Sequence, residues 1–113
     1  MSKPHKLDVT LTISETEFRK LKPGFVPASM DDKWFVYYDE GGLHIHRSWT
    51  GAQIFKCKVT PGENGEYLIN EVFVERDSDV YNEIDDKLDL RNFQSHIRYL
   101  TQREISNPII DGV

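Results

Sequence analysis

Residues 33–51, KWFVYYDEGGLHIHRSWTG, decide the fold. Lys33 to Asp39 is aromatic and β-branched, the composition of a pleated strand. Glu40-Gly41-Gly42 then supplies positions that reach positive φ at little steric cost, so a hairpin turn is expected there. Leu43 to Trp49 reads as the return strand and Thr50-Gly51 as the next turn. Working outward, Ala52 to Thr60 makes a third strand. Pro61-Gly62-Glu63-Asn64-Gly65 is a longer loop, and Glu66 to Arg76 is a fourth strand, completing a meander.

Before the meander, Leu7 to Ile13 alternates apolar and polar residues, with Leu7, Val9, Leu11 and Ile13 on one side of a half-buried strand. Ser14-Glu15-Thr16-Glu17 fits the capping box, in which the serine hydroxyl and the glutamate three residues on satisfy free amides. A short helix burying Phe18 and Leu21 should follow, ended by Pro23-Gly24. Residues 25–32 read as a loop. Beyond Asp77 the acids Asp77, Asp79, Glu83, Asp85, Asp86 and Asp89 are opposed only by Lys87. They read as the solvated start of a helix. Leu90, Phe93, Ile97 and Leu100 then share one helical face. Arg98 and Arg103 are placed to complement that helix's dipole, and Pro108 closes the ordered part. The expectation is a single α+β domain over residues 1–113. Its antiparallel sheet, an N-terminal strand plus a four-strand meander, is packed by a short N-terminal helix and a longer C-terminal one. Residues 1–6 and 106–113 should be loosely ordered.

The chain has 113 residues, 38% hydrophobic and 29% charged, which is long enough and mixed enough for a self-sufficient core. No apolar run approaches the ~18 residues that would span a bilayer. The opening residues, MSKPHKLD, carry charges with no apolar core behind them, so they are not expected to act as a secretory signal. One cysteine, Cys57, excludes an intrachain disulfide and suits the cytoplasm. A net charge of −5 makes nucleic acid an unexpected partner.

Both sides of the meander look oily. Trp34, Val36 and Tyr38 face one way, Phe35 and Tyr37 the other. Ile54 opposes Phe55, Cys57 and Val59; Tyr67, Ile69 and Phe73 oppose Leu68, Val72 and Val74. Two helices cover one side of a sheet, so the other would meet a second copy, a foreign partner or a ligand, unless the N-terminal strand, the 25–32 loop and the C-terminal tail seal it.

HIHRSWTG, residues 44–51, is the chemically dense part. His44 and His46 share a strand face, but a catalytic zinc needs a third protein ligand and none is indicated, so no metal and no cofactor is expected. Arg47 offers a planar fork for carboxylate or phosphate. Trp49 is a stacking face, and Ser48 and Thr50 add hydroxyls beside a glycine turn. The plainer reading also stands: Trp49 plugs the core end, Arg47 pairs across the sheet, and Thr-Gly is an ordinary turn. Cys57, mid-strand, reads as a buried small hydrophobe.

The span Asp32 to Val59, with Lys33-Trp34-Phe35-Val36-Tyr37-Tyr38 and His46-Arg47-Ser48-Trp49-Thr50-Gly51, resembles a small bacterial domain of uncharacterised function. That domain occurs as short stand-alone proteins and sometimes beside ADP-ribosyl-hydrolase or macrodomain proteins. The resemblance covers about a quarter of the chain and implies handling of ADP-ribose or a related nucleotide, with no catalytic assignment attached.

The functional expectation is a non-enzymatic module, dimeric through the second sheet face. It would bind a partner protein or a small anionic ligand in a cleft floored by Trp34, Tyr37, Tyr38 and Trp49, with Arg47 as anion contact. The alternative is a small hydrolase acting on a nucleotide or ADP-ribosyl compound, with His44 or His46 as general base and Arg47 stabilising negative charge.

Overall fold

A computed structural model describes residues 1–29, 31–77 and 85–103. The expected loose tail from 106 and the middle of the acidic run lie outside these residues. Among the described residues the architecture is α+β, with six strands in one antiparallel sheet and two helices. In chain order the elements are β1 (Pro4–Leu7), β2 (Leu11–Ile13), α1 (Glu15–Leu21), β3 (Trp34–Asp39), β4 (Gly42–Arg47), β5 (Gln53–Pro61), β6 (Tyr67–Glu75) and α2 (Asp86–Gln102). The sheet runs β1-β6-β5-β4-β3, and β2 also pairs with β6. The single N-terminal strand expected from Leu7 to Ile13 is therefore two short ones, both on β6. The first begins at Pro4, inside the stretch expected to be loose.

Local signals hold where they depend on neighbours in sequence. Ser14 Oγ accepts the Glu17 amide at 3.1 Å while Glu17 returns a carboxylate to the Ser14 amide at 2.8 Å. This closes the capping box that starts α1. Phe18 and Leu21 are buried beneath that helix. Phe18 stacks on Tyr67 of β6 and meets Tyr38 of β3 edge-on, so α1 lies across the width of the sheet. Helix α2, N-capped by the Asp85 side chain, buries Phe93, Ile97 and Leu100. Arg103 does not complement the α2 dipole as expected. Its guanidinium reaches back to the carbonyls of Lys20 and Gly24, at 3.0 and 2.5 Å, where the end of α1 leaves acceptors open. Asp89, expected in solvent, is fully buried and paired with Arg76, which also reaches Asp86.

Two bulges reset which residues face inward. Between Ile45 and His46 the β4–β5 register shifts, so Ile54 and Phe55 both turn into the core. Between Lys56 and Lys58 the β5–β6 register shifts too, and Glu71 sits at φ 49°. Ile69, Val72 and Val74 consequently all lie in the core, although strict alternation would separate Ile69 from the two valines. The second face is thus less oily than alternation implies. Its apolar side chains are Phe35, Tyr37, Leu68 and Phe73, none of them buried. Both helices pack on the opposite, covered face.

Candidate functional site

The β3–β4 hairpin deals the expected site residues alternately to the two faces. Glu40 and Gly41 form its turn at φ 51° and 79°, a two-residue reversal with both centres left-handed. Gly42 is already in the strand. A Cβ there would come within 3.1 Å of the His44 ring, so the glycine makes room for that imidazole. Register pairs Trp34 with Arg47, Phe35 with His46 and Tyr37 with His44.

On the covered face, the Arg47 guanidinium lies 4.9 Å from the centroid of the Trp34 ring. Helix α2 brings His96 edge-on to the same tryptophan at 4.4 Å. Burial, helped by the Arg47 charge, pushes the His96 pKa down to about 4, so the ring is neutral at physiological pH. Trp34, His96, Phe25, Tyr99, Asp31 and Asp32 are among the residues walling a hollow of about 340 Å³ between the loop before β3 and helix α2. That volume is at the lower end of small-molecule sites. The remaining hairpin aromatic on this face, Tyr38, packs on Phe18 and belongs to the core.

On the open face, Tyr37 stacks on His44 at 4.7 Å and on His46 at 5.4 Å. Gln53 places its amide nitrogen 2.8 Å from His44 Nδ1. The pKa of each histidine is lowered, chiefly by desolvation; Lys56 adds to this for His44, and His44 for His46. Arg47 stacks on Trp34 on the other side of the sheet from His44, whereas His46 and Arg47 both line a smaller hollow of about 290 Å³ with Pro27, Phe35, Ser48 and Gly51.

At the tip, strand pairing stops at Arg47, and Ser48, Trp49 and Thr50 lie in the turn. Ser48 Oγ donates to the Asp32 carbonyl at 2.6 Å and its amide donates to the Lys33 carbonyl at 2.9 Å. Thr50 Oγ1 accepts the Ala52 amide at 3.2 Å. These hydroxyls fix the turn and the preceding loop. Trp49 does not plug the core; it is 70% exposed beside Pro27 and Ala28. The structure therefore joins Trp34 with Arg47, and Tyr37 with His44 and His46, but leaves Trp49 and Tyr38 apart from both groups.

His96, Phe25 and Tyr99 escaped the sequence reading. His96 had a signal, because it follows Phe93 by three positions and so falls on the inward stripe of α2. Cys57 is buried in β5, and burial pushes its thiol up to about 12. Among the described residues no group of three or more His, Cys, Asp and Glu side chains is placed to hold a metal ion. No helix among them is long and apolar enough to cross a membrane. Comparison with protein-family models, with curated proteins and with solved structures finds no match.

Proposed function

We propose that the protein is a cytoplasmic binding module that takes a small nucleotide-like ligand in the hollow beside Trp34. The supporting observation is the grouping of Trp34 and a neutral His96 at one wall of a 340 Å³ hollow, with Arg47 stacked on the same tryptophan. A flat heterocycle finds rings at Trp34, Phe25 and Tyr99. The Asp31 and Asp32 carboxylates at the same hollow accept hydrogen bonds from an exocyclic amine, and Lys33 at the hollow, with Arg47 behind it on Trp34, supplies positive charge for a phosphate. The resemblance of Asp32 to Val59 to a domain sometimes found beside ADP-ribosyl-hydrolase or macrodomain proteins supports the same ligand class. A reducing compartment suits the single buried thiol.

The test uses tryptophan fluorescence and thermal shift with AMP and ADP-ribose, in a Trp49→Phe background so that Trp34 alone reports. Ligand should quench the emission and raise the melting temperature. Trp34→Phe, followed by thermal shift, and Arg47→Ala should each weaken binding at least tenfold, while His44→Ala and His46→Ala on the opposite face leave it unchanged. No response to either compound sinks the reading. Turnover of ADP-ribose that disappears in His44→Ala would replace it with the hydrolase.

A further inference from the structure

Four strand pairings place five side chains in one line across the open face. Lys6 of β1 stands opposite Phe73 of β6, which stands opposite Lys56 of β5. Lys56 stands opposite His44 of β4, and His44 opposite Tyr37 of β3. Directly paired residues project to the same side of a sheet. Tyr37, His44, Lys56 and Phe73 accordingly share a hollow of about 610 Å³. Along the line the order is ammonium, ring, ammonium, ring, ring. The Lys56 nitrogen lies 5.9 Å from the Phe73 centroid, and Tyr37 stacks on His44.

What such a line can hold follows from its spacing and charge. Phe73 and Tyr37 are three strands apart, about 14 Å at ordinary strand separation, farther than one base reaches. Rings at that distance with ammoniums beside them match a polymer that repeats flat groups and negative charges. A net charge of −5 argues against such a partner only while charges are counted without their positions. On this face Lys58 is paired with Glu71 at 3.2 Å, Asp39 and Glu40 sit at the hairpin end, and Lys6 and Lys56 flank the rings. From this alignment we infer that the open face binds single-stranded nucleic acid, stacking bases on Phe73 and Tyr37 and phosphates against Lys6 and Lys56. A duplex keeps its bases inside and offers this surface phosphates alone. The site is independent of the Trp34 hollow on the other face.

The experiment is fluorescence anisotropy of a labelled ten-nucleotide oligo(dT), titrated with the intact protein at low salt. Two or three phosphate contacts predict a log affinity against log salt slope of about −1.4 to −2. A duplex of equal length should bind at least tenfold more weakly. Lys56→Glu and Tyr37→Ala, both at exposed positions, should each weaken single-strand binding at least fivefold with the melting temperature unchanged, whereas Trp34→Phe should not weaken it. Absence of binding at low salt overturns the inference. So does equal binding of duplex or polyphosphate, or full affinity in the Lys56→Glu, Tyr37→Ala double variant. Sedimentation supplies a further check: a parent dimer that these two substitutions dissociate would make the face a self-association surface and overturn the inference as well.

Discussion

On the covered face of the sheet Leu43, Ile45, Phe55 and Val74 lose all contact with water, whereas their chain neighbours His44, His46, Lys56 and Phe73 on the open face keep part of theirs. The same three strands build both surfaces, and backbone pairing is common to the two. The difference lies in what each side chain meets. On one side are two helices with Phe18, Phe93, Ile97 and Leu100; on the other the rings of Tyr37, His44 and His46 meet mainly one another. Stability should therefore be concentrated on the covered side, leaving the open side free to carry chemistry.

The sharpest way to break that contrast is to remove one phenyl ring from each side. Phe93 is fully buried and lies 5.6 Å from Phe55. Phe93→Ala should cost about 3–5 kcal/mol in urea denaturation, the transfer loss plus an unfilled cavity. Phe35→Ala on the open face should cost about 1 kcal/mol or less, near the range of surface changes. Equal costs would mean that something covers the open face too.

Acid offers a second, smaller lever on the same contrast. Folded His96 takes a proton only near pH 4, while the unfolded ring takes it near the ordinary value of 6.5. Between those values unfolding binds a proton, so stability is lost as pH falls through the window and is level above it. The span corresponds to about 3 kcal/mol at most. His44 and His46 are shifted in the same direction and add to the slope. The carboxylates of Glu75 and Asp86, held below their ordinary values, act at lower pH. Denaturation curves at pH 7 and 4.5 should differ clearly in the parent and much less in His96→Gln. A variant with the parent's full slope would place the titrating group elsewhere, on the open face.

What could be read in the chain beforehand divides along the same physical line. The capping box of Ser14 and Glu17, the Phe93-Ile97-Leu100 stripe of α2 and the Glu40-Gly41 reversal were legible because each is settled within one turn or one hairpin. The destination of Arg103 was not, because its acceptors lie about eighty residues away in sequence. Nor was the grouping of Trp34 with His96, which exists only once α2 docks on β3. The candidate site was legible in its residue types and half legible in its arrangement: the pairing of His44 with His46 survived, and the cleft joining Arg47 to both tyrosines did not. The apparent second oily face came from counting Ile54 and Ile69 by twos through strands that skip a beat.

Glu71 is where β6 skips, and it permits the finest test of the two-face division. Its φ of 49° is a conformation that a side chain with a Cβ adopts at a cost of about 1–2 kcal/mol and glycine at almost none. Replacing it also removes the exposed ion pair with Lys58, worth about 0–1 kcal/mol. Comparing Glu71→Gly with Glu71→Val cancels that loss, since neither can form the pair. In a regular strand valine would be the better residue and glycine the worse. At a left-handed bulge the order inverts, because the branched side chain meets the strain in full. Glu71→Gly should be the more stable of the two by about 1 kcal/mol, measured as the difference in urea midpoints at equal slope. The opposite order would make β6 regular, separate Ile69 from Val72 and Val74, and return one of those groups to the open face.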